Sequence, residues 1–171
     1  MTRHQPRHQT RHPTQRTAQR GLTLVEIAVA MAIGAILLAV GSPFFGDYMS
    51  NSRLRENGNL LLTEALITQS EAIKRNSTVR LSTSGGTIQV IDVSVPATPV
   101  VLRERLTTGA ITLPTATLTF GSEGRPVPFG SSASIDISAS GVTCSSDLRC
   151  PGLRVDAGGA VRLCNNKLSC V

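Results

Sequence analysis

The sequence contains no tryptophan and a single tyrosine, Tyr48, among its 171 residues. Stacking surfaces for single-stranded nucleic acid are built from aromatic side chains, so few candidates for such a surface exist. The three histidines, His4, His8 and His12, all precede residue 21. Beyond them there is no histidine, no Gly-rich phosphate loop and no nucleophile elbow, and the acidic residues form no general acid/base pair. The sequence therefore predicts no catalytic residues and no cofactor.

Residues 1–20 also lack Leu, Ile, Val and Phe, so this segment has nothing to bury and is predicted to be disordered. It contains five of the 17 basic residues and no acidic residue, which leaves 12 basic against 11 acidic residues elsewhere. The basic character belongs to this leader, and a globally basic nucleic-acid binder is not implied. The histidines recur every four residues, but Pro6 and Pro13 disfavour the helix that would align them. We therefore predict no metal site.

A long apolar run begins abruptly after Gly21 and continues from Leu22 to Val40, with Glu26 as its one charged residue. Extended to Phe45 it has about 24 residues, enough to span a bilayer as a helix. The Arg-rich flank should stay in the cytoplasm, which places the following segment outside the inner membrane. A secretory signal peptide is cut after its apolar core. A cut at Gly21–Leu22 would instead leave the apolar helix on the mature protein.

Glu26 is unusual because a carboxylate within a spanning helix is costly unless it is neutralised or paired. A protonated Glu26, or one that reaches the interface, is one interpretation. The other follows from the cut after Gly21, which would make the Leu22 amine a cation four residues away. An amine of the same or a neighbouring chain would then pair with Glu26. Pairing between chains would fix the register of helices lying side by side.

The stretch Arg20-Gly21-Leu22-Thr23-Leu24-Val25-Glu26-Ile27 resembles the processing site of type IV pilins and type II secretion pseudopilins. The resemblance implies that a prepilin peptidase cleaves after Gly21 and methylates the new amine on Leu22. It also implies that Glu26 contacts the amine of a neighbouring subunit during filament assembly. That family usually has Phe where this chain has Leu22. Pro43 resembles the helix-bending position of these proteins.

Beyond Pro43 the pattern is that of an amphipathic helix, which Asn76-Ser77 should end. Its apolar face is predicted from residues three or four apart: Leu54, Leu61, Leu62, Ala65, Leu66, Gln69, Ala72 and Ile73. After residue 77 the chain changes to short β-prone runs, of which the first two flank Ser84-Gly85-Gly86 and predict a hairpin. The other predicted strands are 100–106, 116–120, 135–138, 153–156 and 160–164. We expect an antiparallel β domain packed on the helix.

A second resemblance is carried by Glu71-Ala72-Ile73-Lys74-Arg75-Asn76, by Val79-Arg80-Leu81 and by Phe120-Gly121-Ser122-Glu123-Gly124-Arg125-Pro126. These stretches resemble the GspH/FimT family of minor pilins and pseudopilins, although Gly124 and Arg125 are also ordinary turn residues. The implied fold is α+β and pilin-like, with a long N-terminal helix packed on an antiparallel β domain. The expected divisions are a cleaved leader (1–21), a transmembrane helix (22–45), an amphipathic periplasmic helix (46–77) and a β-rich domain (78–171).

Four cysteines, Cys144, Cys150, Cys164 and Cys170, lie near the end of the sequence. No Cys-x-x-Cys occurs, which disfavours zinc, and a location outside the cytoplasm permits disulfides. Ala157-Gly158-Gly159 predicts a hairpin that would bring Cys150 near Cys164 and Cys144 near Cys170. Those nested pairs and the local pairs 144–150 and 164–170 remain alternatives.

The leading hypothesis is a minor pseudopilin or pilin of the bacterial inner membrane. It would assemble with other such subunits into a periplasmic pseudopilus or a pilus tip. The alternative is a minor pilin that binds DNA, because Gly159-Ala160-Val161-Arg162 partly matches the Gly-Arg-x-Arg motif of some FimT-type pilins. Arg154 and Arg162 would then contact phosphates. A third hypothesis is a periplasmic protein that its helix merely anchors.

Overall fold

The computed structural model describes residues 21–170, without the side chains of residues 42–44. The predicted disordered leader, with its histidines and Arg20, lies outside the described residues. The chain divides into two compact units, residues 1–41 and residues 42–171, which are treated separately below. The described part of the first unit includes the start of a helix, and all the strands of the described residues lie in the second unit.

Helix α1 spans Leu24–Arg75, 52 residues. The backbone is helical through Pro43, so the predicted transmembrane and amphipathic helices are consecutive parts of one helix. Their division and the bend at Pro43 stay predictions. The helix ends in a Schellman motif. Asn76 adopts a left-handed conformation (φ 50°), its N–H donates to the Ile73 carbonyl at 3.1 Å, and the Ser77 N–H donates to the Ala72 carbonyl at 3.1 Å. Asn tolerates this conformation, so the chain leaves the helix there.

Within residues 21–170, eight strands form two antiparallel sheets. They are β1 (Val79–Gly85), β2 (Thr87–Asp92), β3 (Val100–Leu106), β4 (Ile111–Phe120), β5 (Ala133–Asp136), β6 (Ser138–Ala139), β7 (Gly152–Val155) and β8 (Val161–Cys164). The larger sheet has the order β3-β2-β1-β4-β6, and the smaller sheet has the order β5-β7-β8. A short 3₁₀ helix, Lys167–Ser169, follows β8. The predicted α+β class and the β1–β2 hairpin are confirmed.

Two strand predictions were wrong. Strand β4 begins at Ile111 and includes Pro114, whereas the predicted strand began only at residue 116. The register of β1 against β4 shifts between Thr83 and Gly85, and the Thr83 hydroxyl donates to the Pro114 carbonyl at 2.7 Å. A proline is tolerated at such an irregularity, where no ladder N–H is needed. The predicted strand 135–138 is divided between β5 and β6, which belong to different sheets.

The core lies between one face of α1 and the two sheets. Its helical members include Leu54, Leu61, Ala65 and Ala72, all fully buried. Facing them are residues of β1, β2, β4, β5 and β7: Val79, Leu81, Ile88, Val90, Leu113, Leu118, Phe120, Ile135, Leu153 and Val155. Leu66 and Ile73 were predicted to face the core, but they are 45% and 54% exposed. At 100° per residue they lie on an adjacent face, together with Gln69.

Two buried polar side chains attach α1 to the outer part of the larger sheet. Glu64 is 1% exposed and its Oε1 accepts a hydrogen bond from Arg103 Nε at 2.9 Å, with Arg105 Nε at 3.6 Å. Asn57 is equally buried; its Oδ1 accepts from the Thr108 N–H at 3.0 Å and its Nδ2 donates to the Thr108 carbonyl at 3.1 Å. The edge strand β3 and the turn after it are therefore tied to the helix.

Candidate functional site

Residues 21–23, around the predicted cleavage site, lie before the helix and are exposed. They have no helical structure, and Leu22 is 71% exposed. The helix begins one residue later, at Leu24. The peptide between Gly21 and Leu22 therefore lies outside the helix.

The first helical residues form an unburied apolar surface. An 18-residue window, Leu24–Gly41, has a mean hydropathy of 2.5, and none of it is buried within the molecule. At about 1.5 Å per residue this window is about 27 Å long, close to the thickness of a bilayer's hydrocarbon core. By length and composition, this part of the helix is able to cross a membrane.

Glu26 is in the first turn of α1 and is exposed. Its backbone N–H donates to the Thr23 hydroxyl oxygen at 3.3 Å. Among the described residues, none of the ion pairs includes the Glu26 carboxylate. In the intact chain the Leu22 nitrogen is an amide and carries no charge. The predicted cationic partner therefore exists only after cleavage. Sequence reasoning missed Thr23, although the Thr-x-x-Glu spacing would have indicated it.

The four cysteines form two local disulfides, Cys144–Cys150 and Cys164–Cys170, each with a Cα–Cα distance of 5.6 Å. The nested pairing was the wrong alternative. In the β7–β8 register Cys164 lies opposite Gly152. Cys150 comes two residues before Gly152 and is therefore not opposite Cys164. Its carbonyl instead accepts a hydrogen bond from the Lys167 N–H at 2.7 Å. The hairpin prediction was right, but its register separates the two cysteines that nesting would join.

The Cys144–Cys150 loop is docked on α1 through Asn51. The Asn51 side chain donates to the Asp147 carbonyl at 2.7 Å and accepts from the Arg149 N–H at 2.9 Å. The second disulfide loop supports the first, because Asn166 Nδ2 donates to the Ser145 carbonyl at 2.7 Å. Within residues 21–170 no three His, Cys, Asp or Glu side chains are grouped so as to hold a metal ion.

Arg154 and Arg162 face each other across the β7–β8 ladder. Arg162 is exposed. Arg154 is less available, because its side chain is 24% exposed and pairs with Asp136, Nη1 to Oδ1, at 2.6 Å. Of the two guanidinium groups, Arg162 is the one that is open to a polyanion.

Gln69 connects two turns to the helix, a role that the sequence did not indicate. Its Nε2 donates to the Gly124 carbonyl at 2.6 Å and to the Gly159 carbonyl at 2.8 Å. Both glycines have positive φ, 73° and 93°. A Cβ on Gly124 would lie 2.8 Å from Ile73 Cδ1, and one on Gly159 would lie 2.5 Å from the Gly124 carbonyl oxygen. Gly124 is therefore a turn residue that also packs against the helix.

Comparison with known proteins agrees with this geometry. Residues 16–42 match the prokaryotic N-terminal methylation motif, and residues 57–167 match the family model of the type II transport protein GspH. No protein of curated function matches the sequence.

Two crystal structures of the Pseudomonas aeruginosa type IV minor pilin FimU have a similar fold. One is 18% identical with a TM-score of 0.53, covering 68% of this chain and 91% of FimU. The other is 19% identical with a TM-score of 0.50, covering 64% and 90%. At these identities the likeness concerns the fold. Because the GspH model spans more than half of the sequence, this chain belongs to the GspH family and is a GspH/FimT-like minor pseudopilin.

Proposed function

We propose that the chain is a structural subunit of a periplasmic pseudopilus or a type IV pilus tip, which supports type II secretion or pilus biogenesis. A prepilin peptidase removes residues 1–21 by cleaving the Gly21–Leu22 peptide and transfers a methyl group from a sulfonium donor to the Leu22 amine. The observation that carries this proposal is the exposed, non-helical segment 21–23 directly before an unburied apolar helix. The match to the N-terminal methylation motif over residues 16–42 supports it.

In this proposal residues 22–45 anchor the chain in the inner membrane as a single span. The remainder of the helix, to residue 77, and the β-rich domain of residues 78–171 lie in the periplasm. Two disulfides in the β-rich domain support this location, because disulfides persist in the bacterial periplasm and are rare in the cytosol. Filament subunits would pack their apolar helices against each other, replacing the lipid around Leu24–Gly41.

Glu26 takes on its role after cleavage. The new amine on Leu22 is a cation, and the Glu26 carboxylate on the first turn of a neighbouring helix is a partner of opposite charge. In a low-dielectric environment an unpaired carboxylate is expensive, so a subunit out of register would be disfavoured. Glu26 therefore selects the axial position at which an incoming helix stops.

Mass spectrometry of the mature chain tests the processing step. The expected product begins at Leu22 and carries one added methyl group on its amine. Glu26→Gln should still be cleaved, but it should enter filaments poorly, whereas Glu56→Gln, an exposed change on the same helix, should enter them normally. An uncleaved chain beginning at Met1 in working filaments, or normal assembly of Glu26→Gln, would contradict the proposal.

A second function, DNA binding, is favoured by the opposed positions of Arg154 and Arg162 on β7 and β8. Backbone phosphates would contact these side chains, chiefly Arg162, and binding would weaken only modestly as salt is raised. The test is salt-dependent binding of DNA by residues 42–171 and by the variant with both arginines changed to Ala, with Arg80→Ala as the control. Absence of binding at low salt, or binding that the double variant retains, would exclude this surface.

A further inference from the structure

Thr23 is the N-cap of helix α1. It precedes the first helical residue, Leu24, and its carbonyl accepts from the Ile27 N–H at 3.3 Å. Its side-chain hydroxyl accepts from the Glu26 N–H, also at 3.3 Å. A non-helical residue whose carbonyl accepts the first helical bond, and whose side chain accepts from the amide three residues later, has the geometry of a cap.

The cap determines which peptides are inside the helix and which are outside. With Thr23 as N-cap, the Gly21–Leu22 peptide is excluded from the helix. The nearest alternative cap is Gly21, since glycine is an acceptable N-cap residue. A helix capped there would begin at Leu22, and the Gly21 carbonyl would accept the hydrogen bond from the Val25 N–H. The peptide to be cleaved would then be bound into the first turn.

We propose that Thr23 is a positioning residue for processing, which keeps the Gly21–Leu22 peptide outside the helix and accessible to the peptidase. This inference rests on the proposed function. In the hydrolysis a water molecule adds OH to the Gly21 carbonyl carbon and a proton to the Leu22 nitrogen as the C–N bond between them breaks. Both atoms are reachable only when the first turn does not enclose them.

The environment strengthens the effect of the cap. The Glu26 N–H is one of the four N–H groups that a helix leaves without an internal partner. At the end of an apolar helix, lipid offers it no replacement for the Thr23 oxygen. An N-cap that loses its oxygen therefore favours a different helix start rather than a solvated N–H.

The test compares Thr23→Val, which keeps the shape and removes the oxygen, with Thr23→Asn, which provides one of the best N-cap side chains. Full-length chain in detergent micelles is incubated with a prepilin peptidase, and kcat/KM for loss of residues 1–21 is measured. We expect a reduction of about fivefold for Thr23→Val, the fold-change that corresponds to a lost cap, and a rate within about twofold of the original for Thr23→Asn. Thr63→Val is the matched control, because Thr63 is an exposed threonine of the same helix that bonds the Asn59 carbonyl.

Amide hydrogen exchange on the uncleaved chain gives a readout that is independent of the peptidase. Exchange of the Val25 N–H should be slower in Thr23→Val, because the Gly21 carbonyl accepts its hydrogen bond in a helix that begins at Leu22. It should be unchanged in Thr23→Asn and Thr63→Val. Cleavage of Thr23→Val at the original rate, equally slow cleavage of Thr23→Asn, or unchanged exchange in Thr23→Val would each overturn the inference. If the original chain is not cleaved after Gly21, the proposed function fails, while the exchange pattern still decides whether Thr23 is the cap.

Discussion

Replacement of Gly159 by alanine should destabilise the unit of residues 42–171 through three separate effects. Gly159 has a φ of 93°, a conformation that costs an L-residue about 1–2 kcal/mol. The added Cβ would lie 2.5 Å from the Gly124 carbonyl oxygen, a backbone atom that can move only together with its turn. That movement would disturb the two hydrogen bonds from Gln69 Nε2, to Gly124 and Gly159, each with a net contribution of about 1 kcal/mol.

The expected total is a loss of about 3–5 kcal/mol in the free energy of unfolding. This is a large fraction of the roughly 5–15 kcal/mol that stabilises a typical domain. The protein to use is the unit of residues 42–171, which has its own core and lacks the apolar window. Urea denaturation followed by circular dichroism measures the change, provided that the slope of the unfolding free energy with urea stays constant.

Gly141→Ala is the matched control. Gly141 also has a positive φ, 74°, but a Cβ there would meet no atom within 4 Å. It should therefore show the backbone cost alone, about 1–2 kcal/mol. If Gly159→Ala loses no more stability than Gly141→Ala, the close approach of the two turns does not stabilise the fold, and the reasoning is refuted.

Three further predictions concern the same unit. Glu64→Gln should lower the unfolding free energy by about 1–3 kcal/mol, because the guanidinium groups of β3 lose a buried carboxylate. Glu56→Gln, an exposed change, should have little effect. Equal losses of stability in the two variants would contradict this prediction. Hydrogen bonds from Ser94 lower the pKa of Asp92. The stability that Asp92 contributes is therefore present above the pKa of about 4 in the unfolded chain. It is lost as the pH falls through the lower pKa in the folded protein. Asp92→Asn should therefore reduce the stability lost between pH 7 and pH 3 in urea titrations, and an unchanged difference would exclude this role. Changing Cys144 and Cys150 to Ser should lower the unfolding free energy by about 2 kcal/mol through loop closure. The loss should exceed that of the same change at Cys164 and Cys170, because Cys150 is fully buried. Urea unfolding of both variants under oxidising and reducing conditions tests which disulfide contributes more.

The β1–β2 hairpin was predictable because its signals are local. Alternating apolar residues flank Gly85-Gly86, and Gly85 adopts a φ of 58°, as the turn requires. The extent of β4 was not predictable by the same reasoning. Pro114 ends a strand in most settings, and only the irregular pairing with β1, a contact more than 30 residues away, makes it acceptable.

The core-facing residues of α1 were also predictable only in part. Three- and four-residue spacing identified Leu54, Leu61 and Ala72 correctly, but it also included Leu66 and Ile73. An apolar stripe of that width is compatible with burial against one sheet or with contact to two separate surfaces. Which one applies depends on where β7, β8 and the turn at Gly124 dock, and the helical pattern contains no information about that. The same holds for the disulfides, whose pairing depends on the register of β7 and β8.

The packing around Gly159 bears on the choice between the two proposed functions. The stretch Gly159-Ala160-Val161-Arg162 suggested DNA binding because of its glycine and its last arginine. The glycine has a sufficient explanation in the fold, since its φ and its distance from the Gly124 carbonyl exclude a side chain. Ala160 carries no charge, and Arg154 is paired with Asp136. Arg162 is then the one remaining member of the stretch that favours a polyanion.

A single exposed guanidinium accounts for about one phosphate contact, so any binding through it should be weak and should change little with salt. A steep salt dependence, such as six or more phosphate contacts would produce, would show that other residues form the DNA surface.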